Sequence, residues 1–223
     1  MSGYRTRRNP AERVKPGWPV APDILEEVYT LQDALTFGCA CISLLNHADR
    51  VKAACLAQLV NVIAPIMTET GGPAWRQTIF WPFSQWSNFE RGRVLRASVD
   101  SPTYQANYYD PRGPQDLWFP VTAPYLKLGA VQREDGKALT LFAVNRSLHE
   151  AMPIEIVAEG FGRLRLREAR QLHHPDLNAV NTRDDPDQVK PVPLGGVQFK
   201  AEGRIQATLT PASWTMLLFE AAT

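Results

Sequence analysis

An amide side chain donates and accepts hydrogen bonds at once, which suits the hydroxyls of a sugar. Gln58 and Asn61 place two such amides inside the apolar run "VKAACLAQLVNVIAP". A buried amide without partners is costly, so each needs something to point at. At the C-terminal end of a buried parallel strand, amides stand where α/β barrels hold their ligand-binding groups. The alternative is an amide satisfied by neighbouring backbone, and the residues alone favour it. Glu69, beside the Gly71-Gly72-Pro73 break, is the best isolated carboxylate for a site, although a lone loop glutamate is more often structural. Glu26 and Glu27 precede a helix and read as solvated.

The histidines offer less. His173 and His174 are adjacent, with Asp176 near; in a strand they face opposite ways, so a solvated loop explains them better than a shared metal. His47 suits a helix C-terminus and His149 a turn. No G-x-S-x-G, H-E-x-x-H, P-loop or G-x-G-x-x-G pattern is present.

The elements that would position these groups change character along the chain. Thr30 caps a predicted helix, with Asp33 in a capping-box position. Leu31, Leu35, Gly38, Ile42 and Leu45 share one face, and the helix should end near His47. The run from Val51 to Pro65 fits a parallel strand buried on both faces, though periodicity does not separate it from a buried helix. "AWRQTIFWPFSQWSNFE" reads as partly helical, with Pro82 limiting or kinking it. Beyond Arg93, runs such as "YLKLGAVQ", "ALTLFAVNR", "MPIEIVAEG", "RLRLREARQL" and "SWTMLLFEA" predict an antiparallel β-sandwich. "HHPDLNAVNTRDDPDQVKPVPLGG" is a long polar loop.

The 223 residues suit one large or two small domains, and 44% apolar content supports a core. A net charge of +1 argues against nucleic acid or an anionic membrane as partner. The cluster "RTRRNPAER" reads as a solvated loop. Cys39, Cys41 and Cys55 lie in apolar sequence and read as reduced core thiols. With no signal-peptide pattern in "MSGYRTRRNP" and no apolar run of membrane-spanning length, a cytoplasmic protein is expected.

"VAPDILEEVYTLQDALTFG" and "LLNHADRVKAACLAQLVNVIAPIMTETGGPAWRQTIFWPF" closely resemble, in order, the late-barrel region of glycoside hydrolase family 51 α-L-arabinofuranosidases. The resemblance runs over about residues 4–83. "LTLFAVNRS" and "SWTMLLFE" resemble, less distinctively, that family's C-terminal sandwich. The resemblance implies the C-terminal fragment of a (β/α)8 barrel over residues 1–92, then a jelly-roll-like β-sandwich over 93–223. It implies a retaining enzyme that releases terminal arabinofuranosyl residues from arabinoxylan or arabinan through two glutamates, with no cofactor. Tyr4 matches the last residue of the family's nucleophile segment, and only Met1, Ser2 and Gly3 precede it. Both catalytic glutamates are therefore expected to be absent, and the chain alone inactive. Gln58 matches the family's sugar-binding glutamine at the end of the last barrel strand. The partners this reading allows are arabinofuranoside oligosaccharides in the full-length enzyme, and a second copy or a complementing N-terminal half. A non-catalytic carbohydrate-binding role, with Trp86 and Trp118 stacking on sugars, is the alternative.

Overall fold

A computed structural model describes residues 27–89, 91–109 and 118–222. The N-terminal basic cluster, Tyr4, Glu26 and the side chain of Trp118 lie outside the described residues.

Helix α1 (Leu31–Asn46) begins where the sequence predicts. The Thr30 side chain accepts from the Asp33 backbone N–H, and Asp33 accepts from the Thr30 N–H at 2.8 Å, a reciprocal cap. The predicted face is the buried one: Leu31, Leu35, Gly38, Ile42 and Leu45. His47 is the C-cap residue. A second helix, α2 (Phe80–Phe89), carries Pro82 in its first turn, where the missing N–H breaks no helical bond.

Two short strands, β1 (Ile66–Thr68) and β2 (Ala74–Arg76), form a hairpin between the helices. The β-rich part follows: β3 (Gly92–Leu95), β4 (Thr103–Tyr109), β5 (Trp118–Pro124), β6 (Leu126–Arg133), β7 (Ala138–Asn145), β8 (Met152–Val157), β9 (Leu164–Leu172), β10 (Val192–Pro193), β11 (Gln198–Phe199), β12 (Arg204–Leu209) and β13 (Ser213–Ala221). A six-stranded sheet has the order β10-β9-β13-β7-β6-β3, and a three-stranded sheet the order β11-β12-β8. Every ladder pairing within these sheets is antiparallel. Among the described residues, strands β4 and β5 pair only with each other.

The six-stranded sheet is covered on both faces. Leu139, Leu141, Ala143, Leu217 and Phe219 meet Ile205 and Leu209 of the smaller sheet, the inner layer of a sandwich. Phe142, Val144, Trp214 and Met216 point the other way and pack against Leu31, Leu35, Ile42 and Leu45 of α1. This double burial is why β7 is buried along its whole length instead of alternating. The helix sits close: a Cβ on Gly38 would fall 2.5 Å from the Trp214 ring. Residues 31–46 and the β-rich part thus share one core, across the boundary expected at residue 92.

The run from Val51 to Pro65 corrects the predicted buried strand. Apart from an isolated bridge between Val60 and Ile66, it forms no ladder, and much of it is exposed. Among the described residues it has no parallel ladder, and its backbone is held by scattered bonds instead, such as Asn61 N–H to the Ile66 carbonyl and Glu27 N–H to the Val62 carbonyl. Cys55, expected in the core, is accordingly exposed, whereas Cys41 is buried. Burial pushes the Cys41 thiol up to about 12, so it stays protonated and inert.

The polar segment 173–191 is a loop, as expected, and it also has a structural role. It is a strap: the Ala179 and Leu177 carbonyls accept from the Leu31 and Gln32 N–H groups, each at 3.0 Å. These donors open α1 and have no partner within the helix. Ala179, Asn181 and Val189 are the strap's own buried residues.

Candidate functional site

The site is built on the segment from Gln58 to Gln77. Its floor is Gln77, a buried amide that the sequence reading passed over. Gln77 Oε1 accepts from the Tyr29 N–H at 3.0 Å, while Nε2 donates to the Glu27 and Ala64 carbonyls at 3.0 and 2.8 Å. Its own N–H donates to the Pro65 carbonyl. One side chain therefore ties the entry to α1 to the end of the 51–65 run. In the sequence it is one of three consecutive polar residues, Arg76-Gln77-Thr78, with nothing to mark it out.

Asn61 is a second tie. Its Oδ1 accepts from the Thr68 N–H at 2.7 Å, and Nδ2 donates to Thr68 Oγ1 at 2.8 Å. This amide is satisfied by its neighbours, the outcome the residues alone favoured. Tyr29 adds a third tie through its hydroxyl, which donates to the Ile63 carbonyl at 3.0 Å.

Gln58 differs in kind. It is exposed, and its side chain makes no hydrogen bond among the described residues. Its backbone is left-handed, with φ 63°, as are Asn61 at 60° and Val62 at 61°. A β-branched residue seldom adopts that conformation, and such strain persists only where surrounding contacts enforce it. Here the Val62 carbonyl accepts from the Glu27 N–H at 2.9 Å, and the Asn61 N–H donates to the Ile66 carbonyl at 2.8 Å. The free amide of Gln58 thus projects from a loop whose following residues are pinned. Leu59 and Val60 beside it are 65% and 44% exposed, an apolar surface flanking the amide.

The other candidates are accounted for locally. Glu69 forms a two-pronged ion pair with Arg183, Nε to Oε2 at 3.1 Å and Nη1 to Oε1 at 3.3 Å. His174 Nδ1 accepts from the Asp176 N–H at 3.1 Å, and His173 Nδ1 lies 3.5 Å from the Ala212 carbonyl. Among the described residues, no group of three or more His, Cys, Asp or Glu could hold a metal ion. Trp86 is 8% exposed and packs in the helix-side core, so it cannot stack on a sugar. Asp135 and Glu155 are carboxylates with shifted acidity, both downwards. The Arg133 guanidinium bonded to Asp135 holds it at about 2, and hydrogen bonds from Gln206 and Arg204 lower Glu155. A catalytic acid needs the opposite shift.

The profile of the α-L-arabinofuranosidase C-terminal domain family matches residues 4–213. An intracellular exo-α-(1→5)-L-arabinofuranosidase from Streptomyces lividans is 48% identical over 200 residues, 90% of this chain and 28% of the relative. A protein of the same name from Halalkalibacterium halodurans is 41% identical over 94% of this chain and 39% of its own length. A family 51 α-L-arabinofuranosidase structure from Bifidobacterium longum superposes with a TM-score of 0.78 at 36% identity, covering 93% of this chain and 38% of that one. This chain thus spans between about a quarter and two fifths of the length of these relatives. No helix among the described residues is long and apolar enough to cross a membrane. The matched span and these identities make the chain a member of the C-terminal domain family of the family 51 α-L-arabinofuranosidases.

Proposed function

We propose that this chain works as part of a retaining α-L-arabinofuranosidase in the cytoplasm, releasing terminal arabinofuranosyl residues from arabinan or arabinoxylan. Its own contribution is a β-sandwich scaffold, a remnant of the catalytic barrel reaching to residue 92, and one sugar-facing amide, Gln58. The two glutamates that split the glycosidic bond come from outside this chain, so the chain alone is inactive.

The observation that carries this reading is the contrast between Gln58 and three other amides, Gln77, Asn61 and Asn181. Gln77, Asn61 and Asn181 are all saturated by protein groups. Gln58 alone among these is left with open donors and an open acceptor on a pinned backbone. An amide in that condition can bond the hydroxyls of a furanose. The exposed Leu59 and Val60 flanking it fit a surface that seats against further polypeptide bearing the rest of the barrel.

The test is reconstitution. The purified chain is incubated with an aryl α-L-arabinofuranoside, alone and with the portion of the Streptomyces lividans relative that lacks a counterpart here. The expected result is no turnover alone and turnover when combined. In the combined enzyme, Gln58→Ala should lower kcat/KM roughly tenfold or more, the loss of a hydrogen bond worth about 1.4 kcal/mol in the transition state. Turnover by the chain alone at ordinary glycosidase rates would overturn the reading.

A further inference from the structure

Two cations sit together on the helix-facing side of the large sheet, in no ion pair among the described residues. In the β6–β7 ladder Lys127 stands opposite Val144, and the Arg146 N–H continues the pairing by donating to the Tyr125 carbonyl at 2.9 Å. Lys127 and Arg146 are therefore diagonal neighbours on one face. Val144 places that face towards α1. Neither cation is in an ion pair among the described residues, and Arg146 Nε is a buried donor without a partner. Orphaned charged donors of this kind are rare, because burial removes water without supplying a substitute.

We propose that Lys127 and Arg146 form a receiving site for a small oxyanion, a phosphate or carboxylate group. Arg146 lines an open cleft of about 330 Å³ together with Tyr104, Tyr125, Ser147, Leu148, His149 and Glu150. The Tyr104 and Tyr125 rings pack 4.8 Å apart and form one wall. A guanidinium binds carboxylate and phosphate oxygens through paired N–H groups, which gives the site its chemical class.

The groups around the pair leave it charged. Cys39 of α1 approaches from the helix, but burial pushes its thiol up, so it is neutral at pH 7 and offers no counterion. Burial and the neighbouring Arg146 charge both lower the Lys127 pKa, the behaviour of a cation awaiting an anion. Glu150 is the one acid of the cleft; it is exposed and in no ion pair among the described residues.

The test titrates the full 223-residue chain with sodium phosphate and with sodium acetate by calorimetry, against sodium chloride at matched ionic strength. Saturable binding of either oxyanion is expected, phosphate alone marking a phosphoryl ligand and acetate a carboxylate. Arg146→Gln should weaken it roughly tenfold or more, and Lys127→Gln severalfold, by loss of charge-assisted hydrogen bonds. Lys127→Gln removes only a half-buried head group, so it remains informative if Arg146→Gln does not fold. A response that follows ionic strength alone, or variants that bind as the unaltered chain does, would overturn the site. So would binding that appears only in Glu150→Gln, because the cleft's own carboxylate would then be the occupant.

Discussion

Two apolar stretches of this chain meet opposite fates. Strand β7, "ALTLFAVN", and the run "VKAACLAQLVNVIAP" are both rich in aliphatic residues. The first is buried along its whole length, hydrogen-bonded to β6 on one side and β13 on the other. The second is an irregular loop with an exposed glutamine. Their compositions do not separate them; the presence of neighbours does. A strand's N–H and C=O groups must be satisfied sideways, and apolar side chains cannot do that work. The lesson is that an apolar run is buried as a strand only where neighbours pair with it: β7 has two, and the 51–65 run has no ladder partner among the described residues.

The comparison can be broken most forcefully in the sheet. Trp214 stacks on Phe142 with centroids 5.6 Å apart and donates through Nε1 to Gln85 Oε1 at 2.7 Å. Trp214→Ala should cost about 3–5 kcal/mol in denaturant unfolding. Next comes the floor of the loop. Gln77→Ala strips partners from the Tyr29 N–H and two carbonyls, and should cost about 2–3 kcal/mol; a loss under 0.5 kcal/mol would mean that water replaces the amide. Thr30→Ala removes the helix cap and should cost about 1 kcal/mol, read as a lower melting midpoint.

Smaller effects sharpen the contrast. Asp135 is held at about 2, below the ordinary 3.8, by Arg133. Its depressed acidity adds stability above pH 3.8 that is lost as the pH falls through 2, since the unfolded chain then binds the proton more readily. Asp135→Asn should therefore flatten the acid limb of a stability–pH curve by lowering its neutral plateau slightly, with stability below pH 2 unchanged. Smallest of all, Gln58→Ala should change stability by no more than about 0.5 kcal/mol, because an exposed side chain without partners has nothing to lose. A larger loss would show that Gln58 supports the loop and not a ligand.

Much of the architecture was readable from residue patterns. Thr30 and Asp33 marked the start of α1, and the spacing of Leu31, Leu35, Gly38, Ile42 and Leu45 gave its buried face. The main sandwich strands were legible because turns such as Glu134-Asp135-Gly136 punctuate β-forming runs. Three features were not. The exposure of Val51 to Pro65 depends on which strands stand beside it, a non-local fact. Gln77 was missed because a single amide carries no period. The strap over α1 was missed because Ala179 and Leu177 act through their carbonyls, which every residue possesses.

That strap gives long polar loops a different standing in this molecule. Surface segments of this composition are the usual place to insert a tag or tolerate a protease nick. Here a cut or an inserted epitope near Leu177 would be felt some hundred and fifty positions upstream, as fraying of the first helical turn. An engineer seeking a permissive site would do better at Gly160–Gly162, where the chain turns with open space around both glycines.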